Sequence, residues 1–243
     1  MTAAATFTDD FKACLAEAIA TFALCFIGGG SICVDAMLGE HGPGLLGIAL
    51  AHGIVLSIAV TATMNVSGGH VNPAVTVAML ATGRIAPLKA GLYILSQCAG
   101  GAVAGMLLMT IARGVLDPAA ARAMLDTGLG TPAFDTSKIA ASTAVIIEGV
   151  LTFLLLFAVF GTAVDPRHPN VGGFGIGLMV GVDILVGGPL TGAAMNPARA
   201  FGTGIIGGTA DFWGQQWVYW IGPCAGGVLA AAAYHFGVLG RQK

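Results

Sequence analysis

Long apolar runs, separated by short segments carrying glycine, proline or charge, dominate this chain. Six of them, roughly 11–34, 44–66, 88–112, 138–161, 171–189 and 215–237, are long enough to cross a bilayer, for which a helix needs about 20 residues. Two further apolar pieces, about 72–82 and 196–206, are too short to cross. Both begin at the same triplet, Asn72-Pro73-Ala74 and Asn196-Pro197-Ala198, and the chain holds only four asparagines. Asparagine caps a helix well because its side chain takes up a free backbone N–H. Proline suits the first helical position, where its missing N–H is not needed. Each short piece is therefore predicted to be a half-helix that enters the membrane and turns back. Open backbone cannot face lipid, so both belong inside the bundle, lining a cavity. The predicted fold is an all-α membrane protein, six transmembrane helices plus two re-entrant half-helices, in a single channel domain over residues 1–243.

Composition agrees: 56% of residues are hydrophobic, 9% are charged, and mean hydropathy is +0.87. A soluble protein of this size carries far more charge on its surface. The formal net charge of −2 offers nothing to nucleic acid. Asp9 and Asp10 precede the first apolar run, which reads as an uncleaved first span instead of a signal peptide. Cys14, Cys25, Cys33, Cys98 and Cys224 show no metal-ligand spacing and read as small core residues. Glycine clusters such as Gly28-Gly29-Gly30, Gly100-Gly101 and Gly226-Gly227 read as packing positions between membrane helices. No nucleophile–base constellation or metal cluster is visible, so no enzyme activity, metal or cofactor is expected.

The chain also repeats itself. Glu17-x-x-x-Thr21-Phe22 returns as Glu148-x-x-x-Thr152-Phe153, and Cys98-Ala99-Gly100-Gly101 returns as Cys224-Ala225-Gly226-Gly227. With the Asn-Pro-Ala pair the offsets are 131, 124 and 126 residues, in the same order along the chain. Two repeats are predicted, approximately 1–115 and 135–243, joined by the polar loop 113–137. Each holds three spans, so the second runs through the membrane inverted, with the functional site near the midplane. Lys12, Arg84, Lys89, Arg167, Arg241 and Lys243 fall on one face, and Arg113, Arg122 and Lys138 on the other. The more basic face is expected to be cytoplasmic, with both termini there, and a plasma or inner membrane is the favoured location.

Two opposed half-helix starts, each worth about half an elementary charge, repel cations at the membrane centre. Asn72 and Asn196 each offer a side-chain N–H to a passing oxygen, and a water bound by both points its hydrogens away from the centre. Arg199, three residues into the second half-helix, is costly in a membrane and marks a pathway. Its counterpart in the first half is Val75, which predicts one charged constriction. Glu17 and Glu148, at equivalent positions, are read either as a proton relay of an ion-coupled transporter or as braces for the re-entrant loops. Their symmetric placement favours bracing. His70, two residues before Asn72, is expected to line the pore or brace its loop, and its titration offers a means of gating.

The paired Asn-Pro-Ala starts, the repeated Glu-x-x-x-Thr-Phe and the run Trp217-Val218-Tyr219-Trp220-Ile221-Gly222-Pro223 resemble the aquaporin, or major intrinsic protein, family over nearly the whole chain. The resemblance implies a narrow selectivity filter at His52, Ile184, Ala193 and Arg199, and a central constriction at the two triplets. His52 and Ile184 stand where orthodox water-selective members tend to carry Phe and His, so the filter is more like that of plant tonoplast and ammonia-permeable members. The expected cargo is water, with ammonia and hydrogen peroxide in addition. A glycerol facilitator, the alternative within the fold, usually has Asp after the arginine and Pro at the first of two diagnostic positions in the sixth span. Here those places hold Ala200 and Tyr219-Trp220. The resemblance also implies a homotetramer in the lipid bilayer, each subunit with its own pore. Asp183, beside Ile184, is expected to face a neighbouring helix, and Phe134 to approach the outer mouth.

Overall fold

The computed structural model describes residues 7–167, 169–208 and 211–239, and every regular element among them is helical. In order these are α1 (Phe7–Leu38), α2 (Gly44–Thr63), α3 (Pro73–Ala81), α4 (Pro87–Gly114), α5 (Pro118–Asp126), α6 (Ala141–Val159), α7 (Phe174–Thr191), α8 (Pro197–Gly207) and α9 (Phe212–Ala232). Wider π turns extend α6 over Phe160–Val164 and α9 over Ala233–Leu239. Helices α1, α2, α4, α6, α7 and α9 are long and apolar enough to span a membrane. Helix α1 outruns its predicted 11–34 at both ends, because hydropathy marks only the apolar middle. Asp9 and Asp10 favour a first helical turn there through their attraction to its N-terminal partial charge.

The predicted loop 113–137 contains a helix, α5. Asp117 starts it by accepting hydrogen bonds from the N–H groups of Ala119 and Ala120 (3.0 and 3.1 Å), with Pro118 at the first position. Arg241 and Lys243, used to orient the chain, lie outside the described residues.

The spans pack as α1 on α4, α6 on α9 and α2 on α7. Glycine makes the first two contacts possible. A Cβ on Gly100 would stand 2.1 Å from the carbonyl oxygen of Ala18, and one on Gly226 2.0 Å from that of Gly149. These backbones touch as lipid-immersed helices must when no hydrophobic drive joins them.

The short helices α3 and α8 hold 9 and 11 residues, about half a bilayer at roughly 1.5 Å per residue. They leave the centre toward opposite faces. Helix α3 runs out toward the face where α1 begins, marked by the Lys89–Asp10 ion pair at 3.0 Å. Helix α8 ends against Leu129 in the connecting segment, on the face where α1 finishes with Cys33 3.5 Å from Thr127 Oγ1.

Candidate functional site

Both half-helices start as their sequences predict. Asn72 and Asn196 are extended (φ −154° and −146°), and each is followed by proline. Asn72 Oδ1 accepts the Ala74 N–H at 2.8 Å, while Asn196 Oδ1 accepts those of Ala198 and Arg199 at 3.0 and 3.2 Å. Pro73, Ala74, Pro197 and Ala198 are buried in these first turns and form the helix starts.

The amide nitrogens do more than the sequence predicts. Asn72 Nδ2 donates to the carbonyl oxygen of Met195 (2.8 Å), and Asn196 Nδ2 donates to that of Val71 (2.9 Å). Each cap thus reaches across to the residue preceding the other cap. This commits one hydrogen of each amide and leaves the second for the lumen. Val71 and Met195 are non-glycine residues with positive φ, 57° and 50°. Such a conformation costs about 1–3 kcal/mol and persists only where the surroundings impose it.

Glu17 and Glu148 impose it. Glu148 Oε1 accepts from Thr191 Oγ1 (2.6 Å) and the Ala194 N–H (3.0 Å), and its Oε2 accepts from the Met195 N–H (2.7 Å). Glu17 Oε1 accepts from Ser67 Oγ (2.6 Å) and the His70 N–H (2.9 Å), and its Oε2 from the Val71 N–H (2.6 Å) and Gln97 Nε2 (2.7 Å). Tyr93 and Tyr219 complete the pattern, their hydroxyls donating to the carbonyl oxygens of Ser67 and Thr191 at 2.8 Å each. Sequence reasoning missed both tyrosines. Their separation matches that of the Cys98 and Cys224 repeats, and that signal was available.

A cavity of about 350 Å³ runs past these helix ends. Its walls include Asn72, Asn196, His70 and all four predicted filter positions, His52, Ile184, Ala193 and Arg199. Arg199 is 4% exposed and its Nη2 lies 3.2 Å from His52 Nε2. Because arginine only donates, His52 Nε2 accepts, and its Nδ1 carries the hydrogen to the carbonyl oxygen of Ile48 at 2.9 Å. Arg199 Nε and Nη1 are buried with no protein acceptor among the described residues, which leaves them to the solute. Gly28 makes room for this pair: a Cβ there would stand 2.5 Å from the His52 ring. The sequence marks Gly28 only as a packing position.

His70 both lines the cavity and braces the loop, with Nδ1 3.0 Å from Thr76 Oγ1. Arg84 also lines the cavity, at the end away from Arg199, and Val75 lines it in the first half where Arg199 stands in the second. Phe134 is not among the lining residues. Its backbone N–H and C=O are both held by the Gln215 amide (3.1 and 2.9 Å), and its ring lies edge-on to Tyr219. Asp183 is buried beside Ile184, outside the lining, with Oδ2 unpartnered among the described residues. Glu17 and Glu148 also lie outside the lining.

Comparison with known proteins agrees with this architecture. The sequence profile described as Major intrinsic protein matches residues 4–234. "Aquaporin TIP4-4" of Zea mays is 44% identical over 230 residues, covering 92% of this chain and 85% of that one. "Probable aquaporin TIP3-2" of Arabidopsis thaliana is 40% identical over 247 residues, covering 97% and 86%. Among solved structures, the aquaglyceroporin from Plasmodium falciparum superposes with a TM-score of 0.77 at 19% identity, covering 94% of this chain and 97% of that one, a likeness of fold. With the paired capped half-helices and the cavity they border, these matches establish that the chain belongs to the major intrinsic protein family.

Proposed function

We propose that the protein is a passive membrane channel for water, and that ammonia and hydrogen peroxide also pass. The carrying observation is the meeting of the two half-helix starts at one cavity wall, where Asn72 and Asn196 each retain an amide hydrogen toward the lumen. Two positive helix ends at that point, with Arg199 further along, disfavour cations and protons while leaving neutral solutes unopposed. His52, Ile184, Ala193 and Arg199 form the filter, and the apolar Ile184 and small Ala193 suit uncharged cargo.

An ion-coupled transporter is less well supported, because Glu17 and Glu148 lie outside the cavity wall and are bonded to loop donors. Glycerol is disfavoured by Ala200 and by Tyr219-Trp220. A fixed passage needs no cofactor or catalytic group. The likeness to TIP-type aquaporins lends no support to a plasma or inner membrane in particular. Two inverted repeats, approximately 1–115 and 135–243, cytoplasmic termini and a homotetramer complete the proposal.

Stopped-flow light scattering on proteoliposomes, with osmotic, ammonia, peroxide and glycerol challenges, tests it. Arg199→Val is expected to keep water flux and to admit larger or charged solutes. Unchanged selectivity in that variant removes Arg199 from the filter.

A further inference from the structure

One glycine of the Gly28-Gly29-Gly30 run in α1 sits against a filter side chain instead of a helix backbone. At Gly100 and Gly226 an added Cβ would meet the backbone of a neighbouring helix, the close approach expected between membrane helices. At Gly28 it would meet the His52 ring, 2.5 Å from Cδ2, 2.5 Å from Nε2 and 3.0 Å from Cε1. The other two glycines of the run have different surroundings. A Cβ on Gly29 would stand 2.9 Å from the carbonyl oxygen of Leu129, and one on Gly30 3.6 Å from Leu108 Cδ2, an ordinary contact. Gly28 is buried and lies outside the cavity lining, one turn beyond Leu24, which lines the cavity from the same face of α1.

The His52 ring is not free to yield. It is buried, and both nitrogens are engaged, Nδ1 with the carbonyl oxygen of Ile48 at 2.9 Å and Nε2 with Arg199 Nη2 at 3.2 Å. The ring edge nearest Gly28 is the edge that reaches Arg199. A methyl group at position 28 would therefore claim the space that holds Nε2 against the guanidinium. Close-packed interiors pass such a displacement on to their neighbours instead of absorbing it. The cavity that His52 lines is the open side of the ring. A displaced ring would move into the passage and lose its contact with Arg199.

We propose that Gly28 is a specificity-determining position, a positioning residue that acts through His52. Its missing side chain sets how far the ring stands back from the passage and where the ring meets Arg199. This rests on the water-channel reading and deepens it, tracing the width of the opening to a residue outside the cavity wall.

The test compares proteoliposomes of wild type, Gly28→Ala, Gly30→Ala, His52→Ala and the double variant Gly28→Ala/His52→Ala. Each protein is read as the ratio of its hydrogen peroxide flux to its osmotic water flux, with ammonia as the second solute if the wild type does not pass peroxide. Gly28→Ala is expected to lower the ratio several-fold, because a ring pushed into the opening hinders the larger solute more. Gly30→Ala makes the same change where there is room for it, and is expected to keep the wild-type ratio. With the ring removed the methyl has nothing to displace, so the double variant is expected to match His52→Ala. A role in helix packing alone would not depend on the residue at position 52. A wild-type ratio in folded Gly28→Ala overturns the proposal, as does an equal drop in Gly30→Ala or the same drop added to that of His52→Ala. If Gly28→Ala alone does not fold, a double variant that folds with the His52→Ala ratio supports the proposal, and one that fails to fold overturns it. Wild-type water flux equal to bare lipid defeats the channel reading itself, whatever the variants do.

Discussion

The two re-entrant loops, Ser67–Ala74 and Thr191–Ala198, share one scaffold and carry different chemistry. Hydroxyl to carboxylate is 2.6 Å in both, strained N–H to carboxylate is 2.6 and 2.7 Å, and tyrosine to loop carbonyl is 2.8 Å in both. The side chains around them diverge. His70, Val75, Thr76 and Gln97 in the first half stand where Ala194, Arg199, Ala200 and Pro223 stand in the second. Gln97 and Thr76 tie the first loop further, through a 3.1 Å bond between them, and the second half has no such link. Backbone geometry is therefore held by a repeated device, while the surface a solute meets is free to differ between halves.

Breaking the shared part should hurt both halves alike. Glu17→Gln and Glu148→Gln each set an amide NH₂ against a loop N–H whichever way the amide turns, that of Val71 or His70 in the first and Met195 or Ala194 in the second. Leaving such buried donors unmatched is expected to cost about 2–4 kcal/mol in each variant, read as a lower unfolding midpoint in detergent. A loss in only one of them would show that the two carboxylates do different jobs. A smaller cut is Tyr93→Phe against Tyr219→Phe, each removing one hydroxyl bond to a loop carbonyl. About 1 kcal/mol is expected from each, with near-equal values. Clearly unequal losses would mean that the geometric match hides an energetic difference.

The smallest effect lies just past the end of the fourth span, at Asp165 and Arg167. Hydrogen bonds from Arg167 hold the Asp165 carboxyl well below the ordinary carboxylate range. A depressed folded value stabilises the native state at neutral pH, and that contribution is lost as pH falls through it. Asp165→Asn is therefore expected to lower the thermal midpoint at pH 7. The gap from wild type should narrow only below about pH 4, the ordinary carboxylate value. A gap that does not change with pH would leave the ion pair without a role.

Much of this design is legible in the sequence, because polar residues inside apolar runs need reasons. Asn72, Asn196, Glu17, Glu148 and Arg199 stand out for that reason, and all five lie where a membrane interior demands partners or a passage. The crossed asparagine bonds were not legible, since they depend on left-handed Val71 and Met195. A β-branched valine there contradicts local preference, and tertiary bonds impose it, from its N–H to Glu17 and to its carbonyl oxygen from Asn196 and Thr21. Arg84 reads as a charge at a helix end, and only the fold places it on the cavity wall. Helix α5 was signalled by Asp117-Pro118 but hidden by the polarity of its surroundings.

The most direct test of the account follows osmotic shrinkage and internal pH together in proteoliposomes of the wild-type chain, against empty liposomes under an imposed proton gradient. Water flux well above the lipid background with proton leak at that background is the predicted result. Water flux equal to bare lipid, or proton leak rising in step with it, would contradict a passage controlled by two opposed helix starts.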